Sequence, residues 1–556
     1  MAREPEEDDS LVFDLVDDAV GDDDAAGDDA RTGAPDGADE PGSRTGGLLG
    51  DTGVLSARLR TLAPFAAVLA MVLGTAYAVD GVREADRVDR IRAVNGGAVD
   101  VSSRLDELWE WKGTVGYGGF GREGGTAQVA ALGDLLVFVS AGDLLALDTA
   151  SGAEAWEVPL AEEPECGPVG YPGWEPVATA SVVCVHGPRT DREVVAVGPD
   201  GVPSARVLDA ADTARYGTAR PGPGGTVLRA RRVGPAAAPD LGAAVCRPSG
   251  ECTGTVETGR GIAVRAEDAV TGAERWQVTA PYVATPAAAC VLPWDRSWDG
   301  LPSRGRDGDL PDTETFGAQI SADRVDLYGC GAHASVTSDG ALLHEAGEPG
   351  DAGHIASLST GGYVALGLRR GTRDILYSAD GEVLETVTDN PFEASVIDGT
   401  GMLLGTDTDT GTGESRLQAY ESDGTPRWAG TSGATFVWFA AEAAGTAVLL
   451  AEDGAVHGLD ATTGAERWVW APAARRDGAP IWSRFPHQAF TDGRYVLLYL
   501  EDEAGSATLV SLDAASGRLA WDVAMADVLS LRQETPLVAV DGNLLAVSAG
   551  SVRGLG

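Results

Sequence analysis

Lysine is all but missing from this chain: Lys112 is the only one, and nearly all of the 41 basic residues are arginines. Aspartate and glutamate number 85, which leaves a formal net charge of −44. A surface so short of positive charge repels phosphate, and this excludes nucleic acid as a partner. The charge favours solubility and says little about fold. The arginine bias fits a GC-rich genome and a salt-adapted one equally well. Cysteine is scarce, with six residues, and none forms a C-x-x-C pair, so a thiol-built zinc site is not indicated. The histidines are His186, His333, His344, His354, His457 and His487. They are scattered, with no H-E-x-x-H and no Cys/His/Asp set of catalytic type, so hydrolase chemistry gains no support.

Glycine is plentiful. With Gly 75, Pro 29 and 44% hydrophobic residues, the chain reads as turn-rich and largely β. Its first part is different. Residues 1–57 hold 17 acidic residues against three arginines, Arg3, Arg31 and Arg44. Low hydrophobicity and high charge cannot bury a core, so this segment reads as a disordered acidic tail. The island SLVFDLVDDAV, Ser10 to Val20, reads as a transiently ordered piece of that tail.

One long apolar run exists: LAPFAAVLAMVLGTAYAV, Leu62 to Val79, without a charge. Arg58 and Arg60 precede it and Asp80 comes directly after. It is long enough to cross a bilayer, and residues 58–80 are read as a transmembrane helix. Ala76-Tyr77-Ala78 resembles a cleavage site, but the run starts too far from the N-terminus for a signal peptide, so an uncleaved anchor is preferred. Arg83, Arg87, Arg90 and Arg92 would by themselves put the far side in the cytoplasm. The cysteines and the large size of the C-terminal part argue the reverse. The expected layout is a cytoplasmic tail, a single span in the cell membrane and an extracytoplasmic domain. Residues 81–104 read as a stalk, helical at first and stopped at Asn95-Gly96-Gly97.

From Leu105 to Gly556 the chain repeats itself. AVHGLDATTGAERWVW (Ala455 to Trp470) has close relatives in LLALDTASGAEAWEV (Leu144 to Val158), AVRAEDAVTGAERWQV (Ala263 to Val278) and LVSLDAASGRLAWDV (Leu509 to Val523). Shorter-turn versions are LQAYESDGTPRWAG, ILYSADGEVLETV, ASVTSDGALLHEAG and VVAVGPDGVPSARVL. Each is strand, tight turn, strand, with Asp capping the turn and Gly supplying positive φ. A second hairpin lies between copies, as in AQVAALGDLLVFVS and FTDGRYVLLYL. The turn glycines are Gly152, Gly201, Gly272, Gly340, Gly381, Gly424, Gly464 and Gly517. Four-stranded units at this period describe an all-β propeller. LDELWEWKG (Leu105 to Gly113) is a lone outer strand, and SVRGLG (Ser551 to Gly556) lacks a fourth one. The first is expected to complete the last blade and close the ring. Eight blades are expected, with seven or nine as alternatives, because the unit between Gly201 and Gly340 is divergent.

The A-x-D-x-x-[TS]-G-x-x-x-W pattern resembles the PQQ-like propeller repeat of quinoprotein alcohol dehydrogenases and of BamB-type assembly lipoproteins. The resemblance implies that Trp156, Trp276, Trp428, Trp468 and Trp521 dock between neighbouring blades; a tryptophan recurring after a turn suits that role on physical grounds too. Enzymes of the family hold their quinone against a vicinal Cys-Cys ring, with Ca²⁺ on Glu and Asn and a catalytic Asp. No two cysteines are adjacent here, so the resemblance carries the fold and not that active site. No cofactor, metal or catalytic residue is assigned. Cys166, Cys184, Cys246, Cys252, Cys290 and Cys330 suggest three disulfides, with local pairing 166–184, 246–252 and 290–330.

The remaining motifs are weak. GYGGFG (Gly116 to Gly121) fits G-x-G-x-x-G but no helix comes after it, so it reads as a loop. DTDTGTGE (Asp407 to Glu414) and DGDLPDTE (Asp307 to Glu314) are acidic turns, and the first has Gln418 where a Ca²⁺ loop needs Glu. Insertions at Cys166 to Pro176 and Pro293 to Thr315 would supply specificity. Trp294 and Trp298 in PWDRSWDG are candidate interface anchors, or else fold back on the propeller. The expected function is a non-catalytic protein-interaction scaffold at the cell envelope, with an unidentified envelope or surface protein as partner. The alternative is a small-ligand sensor or PQQ-dependent dehydrogenase using the central channel.

Overall fold

The strand Tyr495–Glu501, YVLLYLE, shows how this sequence builds its core. Successive side chains of a strand point to opposite faces. Val496, Leu498 and Leu500 pack against one neighbouring sheet, and Leu497 and Tyr499 against the other. A strand apolar on both faces must be sandwiched between sheets, and a ring of radial sheets provides that everywhere.

The computed structural model describes residues 82–116, 129–162, 164–168, 178–188, 191–234, 244–246, 252–290, 298, 313–345, 354–366, 374–387, 392–408, 415–472, 488–501, 507–529 and 535–556. Within them lie nine blades built on four antiparallel strands, which in the first eight follow chain order from the inside outwards. Blade one is Ala130–Leu132, Leu135–Ser140, Asp143–Asp148 and Glu154–Val158. Blade two is Glu165–Gly167, Val182–His186, Glu193–Val197 and Pro203–Val207. Blade three is Ala219–Gly222, Thr226–Val233, Gly261–Asp268 and Glu274–Ala280. Blade four spans Phe316–Ile320 to Leu342–Glu345, and blade five His354–Ser357 to Val383–Val387. Blade six runs from Phe392–Glu393 to Pro426–Ser432, blade seven from Phe436–Ala443 to Glu466–Trp470, and blade eight from Gln488–Thr491 to Leu519–Ala524. Blade nine is Leu537–Val540, Asn543–Ser548 and Ser551–Leu555, completed by Glu107–Lys112.

The expected eight blades are therefore corrected to nine. The unit around Gly272 is a full blade whose second and third strands are separated by residues 234–260, and that insertion hides its period. Each of the eight turn glycines belongs to its own blade, and the closing unit is the ninth. Glu107–Lys112 pairs antiparallel with Ser551–Leu555, with Trp111 opposite Val552. A separate apolar cluster fills every junction. The one joining blade nine to blade one contains Leu545, Val547 and Val552 against Leu136, Phe138 and Leu145, so the ring is closed.

The outer hairpin turn repeats one construction. Asp148, Asp268, Asp460 and Asp513 each accept from the backbone N–H three residues on, at 2.8 to 2.9 Å. The next glycine in the turn lies at φ 70°, 72°, 72° and 68° in the four blades, a backbone region other residues rarely enter. Arg275 and Arg467, seven residues after the aspartate, return to its second oxygen. Blades four and five use hydroxyls instead: Ala341 N–H donates to Thr337 Oγ1, and Glu382 N–H to Ser378 Oγ.

The segment read as a stalk packs onto the ring over its described residues. Helix α1 covers residues 82–93. After it, Gly97 forms a parallel bridge with Thr491, and Ala98 with Gly542. Val101 is fully buried and its carbonyl accepts from Ser511 Oγ and Trp521 Nε1. The predicted span Leu62–Val79 and the acidic tail lie outside the described residues. Among the described residues no helix is long and apolar enough to cross a membrane.

Candidate functional site

Five tryptophans on outer strands reach the next part of the ring. Trp156 Nε1 donates to Pro199 O, Trp276 to Ser338 O, Trp428 to Ala461 O and Trp468 to Ala514 O. Each of these four indoles lies on the turn glycine of the next blade: Gly201, Gly340, Gly464 and Gly517. A Cβ on any of those glycines would come within 2.4 to 2.6 Å of the ring, so glycine is needed for contact as well as for φ. Trp521 donates instead to Val101 O, on the segment leading into the closing strand.

Two docking residues escape the tryptophan pattern. Trp109 on the closing strand lies against Gly152 and so seals blade nine to blade one. Its position in LWEWK on a lone outer strand is the signal that could have found it. In blade two the place is taken by Arg206, which lies over Gly272 and donates from Nε to Ala269 O. Ala269, Ala461 and Ala514 are equivalent turn positions, so an arginine replaces an indole there. Only the register with neighbouring repeats identifies it.

The described disulfides lie in blades two to four and the insertions that interrupt them. Cys166 and Cys184 sit opposite each other on neighbouring strands and are disulfide-bonded. Cys290 and Cys330 are bonded across 40 residues, and they tie the connection after blade three to a turn of blade four. Cys252 is disulfide-bonded and faces Cys246 in the pair Val245–Cys246 and Cys252–Thr253. There is no free cysteine among the described residues. Ala244, Cys252, Val256, Ala287, Cys290 and Cys330 form a small core under the insertion, with Tyr282 against it. Arg232 donates to four backbone carbonyls, those of Arg260, Glu314, Thr315 and Cys330, and so gathers both insertions onto the blades.

Trp298 belongs to this core. It is 2% exposed, stacks on Phe316 with centroids 6.0 Å apart, and donates from Nε1 to Thr218 O. Arg220 lies over its ring and is held by Glu165. Of the two readings left open for Trp298, the structure has the indole folded back: Phe316 and Arg220 cover its ring and the Thr218 carbonyl receives its N–H. Trp294 lies outside the described residues, as does most of the loop around it.

The other candidates hold little chemistry. Among the described residues no group of three or more His, Cys, Asp or Glu could hold a metal. His186 Nδ1 accepts from Ala161 N–H, and burial pushes its pKa down. His457 pairs with Glu466 at 3.0 Å. Gln418 donates to Trp428 O, and Glu314 pairs with Arg260; Asp407 and Thr408 continue a strand of blade six, Thr313 is buried, and residues 409–414 and 307–312 lie outside the described residues, as do His487 and GYGGFG after Gly116.

At the junction of blades seven, eight and nine, α1 covers one rim. Arg90 Nε lies 2.6 Å from Asp398, Arg92 lies 4.0 Å from Asp541, and Arg87 donates to the Asp492 carbonyl. Between these arginines Ile91 is fully buried. Val396–Asp398, under the helix, runs parallel to Phe436–Ala443 as a fifth strand of blade seven. Glu442 on that strand is buried and accepts from Thr400 N–H, Thr400 Oγ1 and Met402 N–H, which fixes the crossing segment.

Residues 410–555, covering the last blades, match the model of a family described as the outer membrane protein assembly factor BamB. The PQQ-like repeat is thus supported there by sequence as well as by fold. No curated protein matches the chain. Among solved structures, BamB from Moraxella catarrhalis is 14% identical, over 81% of this chain and 99% of that one, with a TM-score of 0.35. A quinohemoprotein alcohol dehydrogenase from Pseudomonas putida HK5 is 12% identical, over 81% of this chain and 76% of that one, with a TM-score of 0.31. The computationally designed Ika8 protein is 13% identical over 81% of this chain and 99% of its own, with a TM-score of 0.32.

Proposed function

We propose that this protein is a membrane-anchored, extracytoplasmic propeller that serves as a protein-interaction scaffold at the cell envelope and catalyses no reaction itself. The observation that carries the reading is the stapled insertion on blades two to four. Specificity in repeat folds resides in loops held by a rigid frame. Here two long insertions are held to that frame by Arg232, and one of them also by the Cys290–Cys330 disulfide. Disulfides belong to an oxidising compartment, which agrees with the bulk of the chain lying outside the cytoplasm. The apolar run Leu62–Val79 supplies the anchor in this reading.

The test is an in vivo crosslink of the full-length protein in its own membrane, then pull-down and mass spectrometry. The comparison protein has residues 299–312 replaced by a Gly-Ser linker, which keeps Trp298 and Thr313 in the core. Partners lost with that loop support the scaffold and place its face. If the two proteins capture the same set, the loop is not the binding surface. Quinone absorbance in the purified protein would favour the dehydrogenase alternative instead.

A further inference from the structure

We infer that α1 is an autoinhibitory strap: it fills in cis a rim site on blades seven to nine that accepts an arginine-faced helix from another protein. The site is a built one. Its floor is Val396 and Gly493, and its walls are the carboxylate of Asp398, the carbonyl of Asp492 and the carboxylate of Asp541. The Asp398 side chain is only 5% exposed: Arg90 pairs with it, and Gly493 lies against both it and Ile91. The helix reads this surface with Arg87, Arg90 and Ile91, and Val94, just past its end, packs on the cluster that holds Val396. The spacing of the three helical residues is i, i+3 and i+4, the anchor pattern of a helix laid in a groove. Two arginines grip a carboxylate and a carbonyl, with the Ile91 side chain seated beside them.

The hold is weak by construction. The α1 side chain that is fully buried is Ile91, and residues 82–86, 89, 90, 92 and 93 are exposed. Arg90 and Arg92 are 57% and 47% exposed, so their ion pairs are open to salt. A helix of this length has little stability of its own in water. Directly after it the chain changes character. Gly96 takes φ +77°, and a Cβ there would press on Ala489 O at 3.1 Å, so this is a turn only glycine serves well. Beyond it Gly97, Ala98 and Val101 are buried and bonded to blades eight and nine. Residues 82–95 can therefore lift about Gly96 while the closing strand keeps the ring shut. Lifting uncovers an acidic, apolar-floored rim whose complement is a cationic amphipathic helix.

The partner class rests on the scaffold reading; the cis docking does not. The experiment uses full-length protein, wild type and the triple variant Arg87→Ala/Arg90→Ala/Ile91→Ala, with a fluorescein-labelled peptide of residues 82–99 as probe. Hydrogen exchange reports release of the strap, with the closing strand 107–112 as internal reference. In the variant, exchange over 82–95 should rise about tenfold or more while 107–112 stays protected. The peptide should then bind the variant saturably, about tenfold or more tighter than wild type. Asp398→Asn added to the variant should remove that binding. A released strap with no peptide binding overturns the proposal, because the rim is then no receptor. Exchange over 82–95 that stays as slow as over 107–112 also overturns it, because the helix is then an integral part of the ring. Should the triple variant lose protection at 107–112, the single variant Arg90→Ala, which removes one exposed ion pair, gives the same exchange reading. Loss of peptide binding leaves the crosslinking result at residues 299–312 untouched, so the two readings fail separately.

Discussion

Blades seven and eight meet through aliphatic side chains, Val448, Leu450 and Val456 against Val496, Leu498, Leu500 and Leu512, with Trp468 sealing the outside. Blades four and five meet differently. Their apolar cluster is small, made of Leu343, Ile355, Tyr363, Ala365 and Tyr377. No indole lies on the turn glycine Gly381, whose neighbours are Ala341 and Leu343. Inside, the buried pair Arg324 and Asp326 lies 3.0 Å apart, and Arg324 donates on to Ser357 of blade five. The same backbone architecture therefore tolerates an oil-like junction and a charged one. Geometry sets the ring, and the side chains set how firmly each junction holds.

The sharpest way to break this comparison is at the aliphatic junction. Trp468→Ala removes a buried indole and its bond to Ala514, and should cost about 3–5 kcal/mol in chemical denaturation. At the charged junction a single substitution is as harmful for another reason. Asp326→Ala takes from the buried Arg324 guanidinium its nearest carboxylate, leaving Asp323 at 3.7 Å and the Ser357 hydroxyl, and should also cost about 3–5 kcal/mol, whereas Arg324→Leu/Asp326→Leu should be neutral or stabilise by about 1–4 kcal/mol. If the double variant is as unstable as the single one, the pair is needed for more than its own desolvation.

A smaller effect is expected where covalent staples hold the insertion rather than a junction. Cys290→Ala/Cys330→Ala should lose about 2–4 kcal/mol, and the shorter Cys166–Cys184 loop somewhat less. Equal losses would point to strain or denatured-state structure instead of loop length.

The smallest effect is local and tracks pH. The Thr271 N–H, then Arg275, hold Asp268 down to about 2, and Arg467 with Thr463 hold Asp460 to about 2. A carboxylate depressed in the folded state contributes stability above its unfolded pKa, near 4, and that contribution fades as pH falls toward 2. Amide exchange in the outer turns of blades three and seven should therefore speed up between pH 4 and 2. The hydroxyl-capped turns of blades four and five should not respond, and Asp268→Asn should remove the response in blade three.

Much of the ring was legible because its signals are local. The Asp-x-x-[TS]-Gly turn, the two-residue alternation and the unpaired strands at Leu105 and Ser551 each encode a neighbour or an edge. The disulfide pairs 166–184 and 290–330 could be read from proximity in the chain. Blade three was obscured because its insertion breaks the period. Arg206 was illegible by residue type, since nothing about arginine announces that it will lie on Gly272. Trp298 misled because an aromatic residue in a charged loop looks exposed until Phe316 and Arg220 are placed beside it. The docking of α1 was hidden for a similar reason: its charges fit a stalk, and its acidic counterparts, Asp398 at the end of a strand and Asp541 in a turn, lie in distant repeats.

The closing strand also sets a timetable for biosynthesis. Glu107 and Arg553, which pair across blade nine, are 446 residues apart. At a ribosomal pace of about 5–20 residues per second, roughly 20 seconds to a minute and a half passes between making one and making the other. Throughout that interval blade one presents Leu136, Phe138, Leu145 and Leu147 with no ninth blade to cover them. A nascent chain carrying a bare apolar sheet invites mispairing. The cell must shield the first blade until the last is made, so yield should depend on holding chaperones more than on the stability of the finished ring.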